Sequence, residues 1–468
     1  MTPREPRVQP GDGRASALTA AATCPAALTE DVIGEMVLRA SGADYRPWWR
    51  AVTGTGFCSN PIHLRRRHGL IADDRLMLRC GNRRASVCAP CSRLYGGDTW
   101  QLVHAGILGG HHGIPETVAE HPMAFVTLTA PSCGRVNTTG PKAGQPVDVD
   151  RYDHAGHVLF TWWAPELWRR YTIRVRRLLT RLLRDRGHDP KRVRLTFLKV
   201  TENQARLIPH FHAVLRLDHA DHIEVDDAGA SGPSAIDPPV GTDVTSADLA
   251  ALALQAAADT SVPVPDPTTA TGTRRMRFGA QADARPLDPS LPVAVRKRVA
   301  GYLAKYVTKS VTDHGLTARR VSPQVAHDRQ VLAGLSPHAR AIITTLTTLA
   351  DAAPEHYSSM VRWLHTLGYR GHVTTKSRRY SLTMGALRAA RALWRQEHLT
   401  GSVQPAGPAA SGDRADDATS TDTAEWTYVR SGHDTRSDHQ LTAAAATAHL
   451  EQLWARRDAF ADARAAAP

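Results

Sequence analysis

The chain has 468 residues and 50.9 kDa, with 58 Lys+Arg against 45 Asp+Glu, a net charge of +13 and a pI near 9.8. A protein this basic is expected to meet a polyanion, and nucleic acid is the default partner. No apolar run reaches the roughly 18 residues of a membrane span, and the stretch 17–28, broken by Cys24 and Pro25, makes a poor signal peptide; the expectation is a cytoplasmic protein with no membrane partner.

In chain order, residues 1–44 open on a Pro-, Ala- and Thr-rich stretch and are expected to be a disordered tail. Residues 45–120 hold four of the six cysteines: Cys58, Cys80, Cys88 and Cys91. Cys88-Ala89-Pro90-Cys91 is a C-x-x-C knuckle, and four thiolates can close a tetrahedral structural Zn2+ site. Free structural cysteines and a redox pair are the alternatives, and His63 could replace one thiolate. Cys24 and Cys133 look unpaired. A basic cluster, Arg83, Arg84 and Arg93, accompanies the knuckle.

Residues 121–315 read as the core, with polar insertions at 134–150 and 219–273. The second insertion reads as a surface excursion with a short helix over 247–258. A long helix is predicted over 164–185, with Leu167, Tyr171, Val175, Leu178 and Leu182 as its apolar face. Arg170, Arg174, Arg177, Arg181 and Arg184 repeat beside it at helical spacing, as a solvated face or a DNA-backbone contact. Two strands follow, over 193–200 and 209–217, rich in β-branched and apolar residues. Side chains alternate along a strand, so His210 and His212 share a face. Pairing of the strands would bring Glu202 beside them. Two imidazoles and a carboxylate can hold one divalent ion and leave positions open for substrate oxygens. Partly buried, hydrogen-bonded histidines are the plainer alternative.

A third helix is predicted over 293–309. Its spacing makes Tyr302 and Tyr306 neighbours on one face, with Lys305 and Lys309 in a basic row beside them. A phenol needs a base or metal to become a nucleophile, and lysines can favour phenolate or hold a phosphate. Residues 316–400 are expected to be mostly helical and to hold a DNA-binding module, with Lys376, Arg378 and Arg379 as contacts. Residues 401–468 read as a linker (401–423) and a terminal Ala-rich helix (442–466). Strand, helix, strand, strand, helix in this order suits an α+β layout, an antiparallel sheet with helices on one face.

Phe125-Val126-Thr127-Leu128-Thr129, Pro209-His210-Phe211-His212 and the segment from Tyr302 to Lys309 together resemble the three motifs of the HUH endonucleases, in their order. The resemblance is to rolling-circle replication initiators of actinobacterial plasmids and integrative elements. The segment from Trp162 to Arg170 and the stretch from Gly371 to Tyr380 look like that group too; the likeness spans roughly residues 50–400. It implies an RRM/ferredoxin-like nuclease core with histidines on a central strand facing the tyrosine helix. It also implies Mg2+ or Mn2+ at Glu202, His210 and His212. Tyr306 would make the first cleavage, forming a 5′-phosphotyrosine ester with single-stranded or hairpin origin DNA, and Tyr302 a second transfer. No G-x-x-x-x-G-K-[ST] sequence occurs, so a host helicase and replication machinery are expected partners. A two-tyrosine transposase and a non-catalytic origin-binding repressor are the rival readings.

Overall fold

The computed structural model describes residues 30–66, 75–140, 142–220, 242–307, 329–400 and 426–465. In chain order these form α1 (Glu30–Ser41), α2 (Tyr45–Gly54), β1 (Ile62–Arg66), β2 (Arg75–Leu78), α3 (Ala89–Leu108), β3 (Met123–Leu128), α4 (His154–Asp185), β4 (Val193–Asn203) and β5 (Pro209–His219). There follow α5 (Ser246–Asp259), β6 (Ser261–Pro265), β7 (Thr273–Arg277), β8 (Asp283–Pro286), α6 (Val293–Val307), α7 (Pro337–Ala352), β9 (Thr374–Lys376), α8 (Met384–Thr400), β10 (Trp426–Ser431) and α9 (Arg436–Ala465). Two units divide the chain: Met1–Tyr95 with Leu393–Pro468, and Gly96–Ala392.

The first unit carries the cysteines and a three-stranded antiparallel sheet in the order β10-β1-β2. This grouping differs from the expected domains in two ways. Part of the tail expected over 1–44 is helical, because α1 packs on α9 and Arg39 grips Asp438 with two hydrogen bonds of 2.6 and 2.7 Å. The segment expected to be linker and terminal helix supplies β10 and α9 to this unit, and His433 Nε2 lies 3.0 Å from the Cys58 carbonyl. Residues 1–29, with Cys24, and the linker 401–423 lie outside the described residues.

The second unit is built on a five-stranded sheet in the order β8-β3-β5-β4-β9, antiparallel throughout. Read along the chain, β3-α4-β4-β5-α5-β8 is a β-α-β-β-α-β succession whose first strand lies between the fourth and the third. The β4–β5 hairpin pairs Asn203 with Pro209 at its tight end and Val193 with His219 at its open end. The turn between them places Leu207 at φ +67°, an uncommon left-handed conformation for a bulky residue.

α4 is longer than its predicted 164–185. Asp153 caps it by accepting from Gly156 N at 2.8 Å, and the helix then runs through Pro165. A proline inside a helix costs about 3 kcal/mol. The extra turns bury Val158, Leu159, Phe160 and Trp162 in the core, which offsets that cost. The predicted apolar face is where it was expected: Leu167, Tyr171, Val175 and Leu178 are buried.

Helices lie on both faces of this sheet, not on one as expected. α4 reaches the face of Phe197 and Phe211 through Trp168, and α5 packs on α4, β3 and β8. On the other face α6 brings its tyrosines to His212, and Gly106 of α3 accepts a hydrogen bond from Arg216. Ten of the eleven residues of β5 are buried, the pattern of a strand covered on both sides. Its polar residues are accommodated by pairing. Arg216 donates to Asp218 at 2.6 and 3.0 Å, and Asp218 also takes Thr196 and His121 at 2.8 Å each.

The insertion expected as a surface excursion over 219–273 is largely structural. Residues 221–241 lie outside the described residues, while α5 buries Leu249, Ala253 and Ala256, and β6 pairs with β7. The helix expected over 247–258 is α5. In the segment 316–400, β9 joins the edge of the sheet beside β4 rather than a separate module.

Lys199 lies on the α4 face and is almost wholly buried. Its ammonium donates to Thr201 Oγ1 (3.0 Å), Tyr369 Oη (3.2 Å) and the His372 carbonyl (3.3 Å), and sits 4.5 Å from the Phe211 ring centre. Burial still lowers its pKa from 10.5 to about 7. Between these values the unfolded chain holds a proton that the folded chain has lost, so the group's contribution to stability rises with pH across that window. Denaturant midpoints should therefore climb from pH 7 to pH 9 more steeply in the native protein than in Lys199→Met. Equal slopes would contradict this assignment.

Candidate active site

Three stretches of sequence converge on one face of the second unit's sheet. β5 projects His210 and His212, β4 projects Glu202, and β3 projects Phe125 and Thr127, all fixed by register: Glu202 opposite His210, Thr127 opposite His212. α6 lies across this face. Leu303 and Val307 anchor it in the core, which leaves Tyr302 and Tyr306, four residues apart, turned to the histidines.

His212 is the hub. Its Nδ1 lies 3.2 Å from the Thr127 hydroxyl, and its Nε2 lies 3.3 Å from Glu202 Oε2 and 3.4 Å from the Tyr302 hydroxyl. Phe125 stacks parallel to the imidazole at 6.0 Å, and the Tyr306 ring centre is 5.3 Å away. The two tyrosine rings are 4.5 Å apart. Burial, then hydrogen bonding and charge from Tyr306, push the Tyr302 phenol well above its usual range, so its proton is held firmly.

His210 stands edge-on to His212, ring centres 4.5 Å apart, with its Nδ1 3.4 Å from Gln204 Nε2. Burial and the neighbouring His212 lower its pKa to about 4, so it is a neutral imidazole at physiological pH, the form that ligates metals. The expected trio of donors is thus a touching pair, Glu202 and His212, with His210 alongside. Among the described residues, only the four cysteines bring three or more metal-ligand atoms within 4.8 Å of one another. The donor chemistry of the trio nevertheless suits a divalent ion, and two of its members, Glu202 and His210, line a cavity of about 1260 Å³ together with Arg206, Arg277, Tyr302 and Tyr306.

The other expected residues divide. Lys305 is exposed on α6, and Lys309 lies outside the described residues. Arg170 pairs with Glu166 at 2.9 Å, an acid it shares with Arg169, and Arg174 with Asp259 at 2.6 Å; both guanidinium groups stay partly exposed. The acids come from the preceding turn of α4 and from α5. Arg177 and Arg181 are exposed and line a groove of about 440 Å³ with Arg176, Arg184 and Asp185. Lys376 is structural, contrary to expectation: its ammonium donates to the carbonyls of Ser377, Arg378 and Ser381 at 3.0–3.2 Å, and burial lowers its pKa to about 8. Arg378 is exposed, and Arg379 feels both Arg378 and Arg194.

Thr127, Phe125, Gln204 and Arg206 were missed as site residues. Strand alternation through 125–129 would have placed the first two on the histidine face. Nothing local marks the turn residues Gln204 and Arg206.

In the first unit Cys58 Sγ lies 3.7 Å from Cys88 Sγ and 3.6 Å from Cys91 Sγ, with Cys80 completing the group. A tetrahedron with metal–sulfur bonds of about 2.3 Å has edges near 3.8 Å, so the spacing fits Zn2+. Backbone amides of Ser59, Cys80 and Asn82 point at three of the sulfurs, the supporting shell such sites use. His63 turns instead to the Gly432 carbonyl, 2.9 Å away, and is not a fifth candidate ligand.

Sequence comparison sets this geometry in a family. The family model described as "Replication initiator protein, pSAM2" matches residues 44–142 and 137–447. This chain belongs to that replication initiator family. A replication initiator protein of Streptomyces ambofaciens is 36% identical over 444 residues, which cover 87% of this chain and 91% of the relative. No solved structure matches the chain. The family model's matched span takes in the cysteine cluster, the histidine strand and the tyrosine helix alike. No helix among the described residues is long and apolar enough to cross a membrane.

Proposed function

We propose that this replication initiator nicks and rejoins one DNA strand at a rolling-circle plasmid origin, through a 5′-phosphotyrosine intermediate of the HUH type. The observation that carries the reading is the meeting of the tyrosine helix with His212, the Tyr302 hydroxyl at 3.4 Å from Nε2 and the Tyr306 ring at 5.3 Å. The β-α-β-β-α-β strand order supports a ferredoxin-like nuclease core.

Glu202, His210 and His212 would hold Mg2+ or Mn2+, and a bound ion would polarise the scissile phosphate. Thr127 and Phe125 fix the plane of His212, and Gln204 orients His210. Tyr306 Oη attacks the phosphorus and loses its proton as the bond to the 3′ oxygen breaks. That oxygen takes up a proton and leaves as a primer end. The ester keeps the energy of the broken bond, so a 3′-hydroxyl can reverse the step without ATP. Tyr302 serves a second transfer that releases the displaced strand. Cys58, Cys80, Cys88 and Cys91 hold a structural zinc, and a host helicase opens the duplex.

The test is incubation of the purified protein with labelled origin oligonucleotide. Nicking and a covalent adduct should appear with Mg2+ or Mn2+ and vanish with EDTA. Cleavage that survives EDTA counts against the metal, and specific binding with no cleavage under any metal favours a repressor. Membership of the initiator family supports this reading over a transposase.

Backbone contacts have a separate signature. Arg177→Ala with Arg181→Ala should reduce the slope of log K against log salt by roughly 1.8 on duplex DNA. The change at Arg174 alone should reduce it by less than the about 0.9 expected of an unpaired arginine, because Asp259 faces it. A reduction by that full amount would contradict the pairing seen here.

A further inference from the structure

A chain of two hydrogen bonds runs from Arg206 to His210 through the turn that joins β4 to β5. Arg206 Nε donates to Gln204 Oε1 at 3.2 Å, and Gln204 Nε2 lies 3.4 Å from His210 Nδ1. Chemistry fixes the direction of both contacts. A guanidinium only donates, so the amide must turn its oxygen to Arg206 and its NH2 group to the ring. The NH2 group also only donates, so His210 Nδ1 is the acceptor and a neutral ring carries its proton on Nε2. One ring nitrogen then has its lone pair engaged, and the other bears hydrogen. A protonated ring would have no lone pair at all. In this arrangement His210 cannot ligate an ion through either nitrogen, and it stands beside the touching pair of Glu202 and His212. The backbone of the turn is pinned: the Arg206 carbonyl accepts from His338 Nε2 at 2.9 Å, and Leu207 N donates to the Gln204 carbonyl at 2.7 Å. Any release must therefore come from the side chains.

We propose that Gln204 and Arg206 form a latch that holds His210 in a non-ligating state until a phosphate in the cavity draws Arg206 away. The inference rests on the nicking reading, which supplies both the metal trio and the phosphate. Gln204 and Arg206 line the same cavity as Glu202, His210, Tyr302 and Tyr306. Arg206 gives its Nε–H to a neutral amide, and a phosphate oxygen is a stronger, charge-assisted partner. With Arg206 withdrawn, the amide can turn over and accept from Nδ1–H, the ring proton passing from Nε2 to Nδ1 by exchange with water. Nε2 then offers its lone pair, and the other ring nitrogen donates to an oxygen, as metal-bound histidines commonly do. DNA and metal would favour each other's binding, by the same factor in each direction. Gln204 and Arg206 are positioning residues with no part in bond making.

The test measures Mn2+ affinity of the full-length protein from the electron paramagnetic resonance of free Mn2+, counting as the site what His212→Ala loses. Gln204→Ala removes both hydrogen bonds that must yield before the ring can ligate, and should tighten Mn2+ by about 10-fold. Arg206→Ala should tighten it too. A glutamine that merely supported His210 as a ligand would give the opposite sign, a loss of roughly 10–100-fold on removal. Weakened or unchanged affinity in Gln204→Ala overturns the proposal; a gain in Arg206→Ala alone then reflects only the loss of a nearby positive charge. Origin oligonucleotide, added in a Tyr302→Phe, Tyr306→Phe background so that the proposed reaction cannot cut it, should tighten Mn2+ more when Gln204 is present than in Gln204→Ala. An equal gain in both overturns the proposal. If native protein and both latch variants bind no Mn2+ beyond His212→Ala, the metal falls from the nicking reading and the latch with it, a result distinct from a reversed sign. If Gln204→Ala does not fold, nitrogen-15 spectra of histidine-labelled native protein without divalent metal decide. Hydrogen on Nε2 of His210 supports the proposal, and hydrogen on Nδ1 refutes it.

Discussion

Tyr306→Phe is expected to lower the rate of origin nicking and of adduct formation by at least about 10³-fold, the scale seen when a nucleophile is removed and the rest of a site remains. Tyr302→Phe should lower the first nick by no more than about 10-fold and abolish only the second transfer. The asymmetry belongs to the proposed roles of the two tyrosines. Burial and the neighbouring Tyr306 hold the proton on Tyr302, while its hydroxyl sits against His212 Nε2. Gel-resolved nicking of a labelled oligonucleotide, followed over time, separates the two steps. If Tyr302→Phe abolishes the first nick and Tyr306→Phe nicks normally, the roles are exchanged.

Removal of metal from the cysteine cluster should have the second largest effect. Structural Zn2+ contributes on the order of 10–16 kcal/mol of apparent binding energy in small domains. The first unit has little else at that point: Cys58, Cys88 and Cys91 form a small buried cluster of their own, with Cys80 packed against it. Cys88→Ser, or chelation under mild denaturant, should release about one zinc per chain and make residues 30–95 and 426–465 sensitive to protease. The second unit, with its own large core, should keep its thermal transition. Protein without zinc by elemental analysis, or an unchanged protease pattern after chelation, would contradict the assignment.

Alternation put His210 and His212 on one face, the hairpin brought Glu202 to them, and helical spacing made Tyr302 and Tyr306 neighbours; that the two groups face each other came from the family resemblance. α5 was legible for the same reason, since its alanine and leucine spacing is local. Long-range partners were not. Nothing near Arg174 reveals that Asp259 will pair with it, whereas Glu166, one turn before Arg170, was a local cue. The basic run around Lys376 reads as a surface patch until its loop folds three carbonyls around the ammonium. β10 pairs with β1 across more than 300 positions, a contact no local pattern encodes. The second covered face of the sheet was hidden because Arg216 and Asp218 look like solvent-facing residues, and their pairing with each other and with His121, Thr196 and Gly106 lets them be buried.

The helix start was obscured for another reason. Pro165 reads as a first-turn residue, and preference alone ends the helix there. Packing of Val158 to Trp162 overrides it. Local propensity yields where a whole helical turn of apolar surface can be buried.

The most direct measurement is identification of the residue that carries DNA. The native protein would be reacted with origin oligonucleotide and Mn2+, digested, and the nucleotide-bearing peptide sequenced by mass spectrometry. The account predicts a phosphodiester on Tyr306 in the first turnover. A nucleotide attached to any side chain outside α6, or efficient nicking by a protein lacking both Tyr302 and Tyr306, would contradict it.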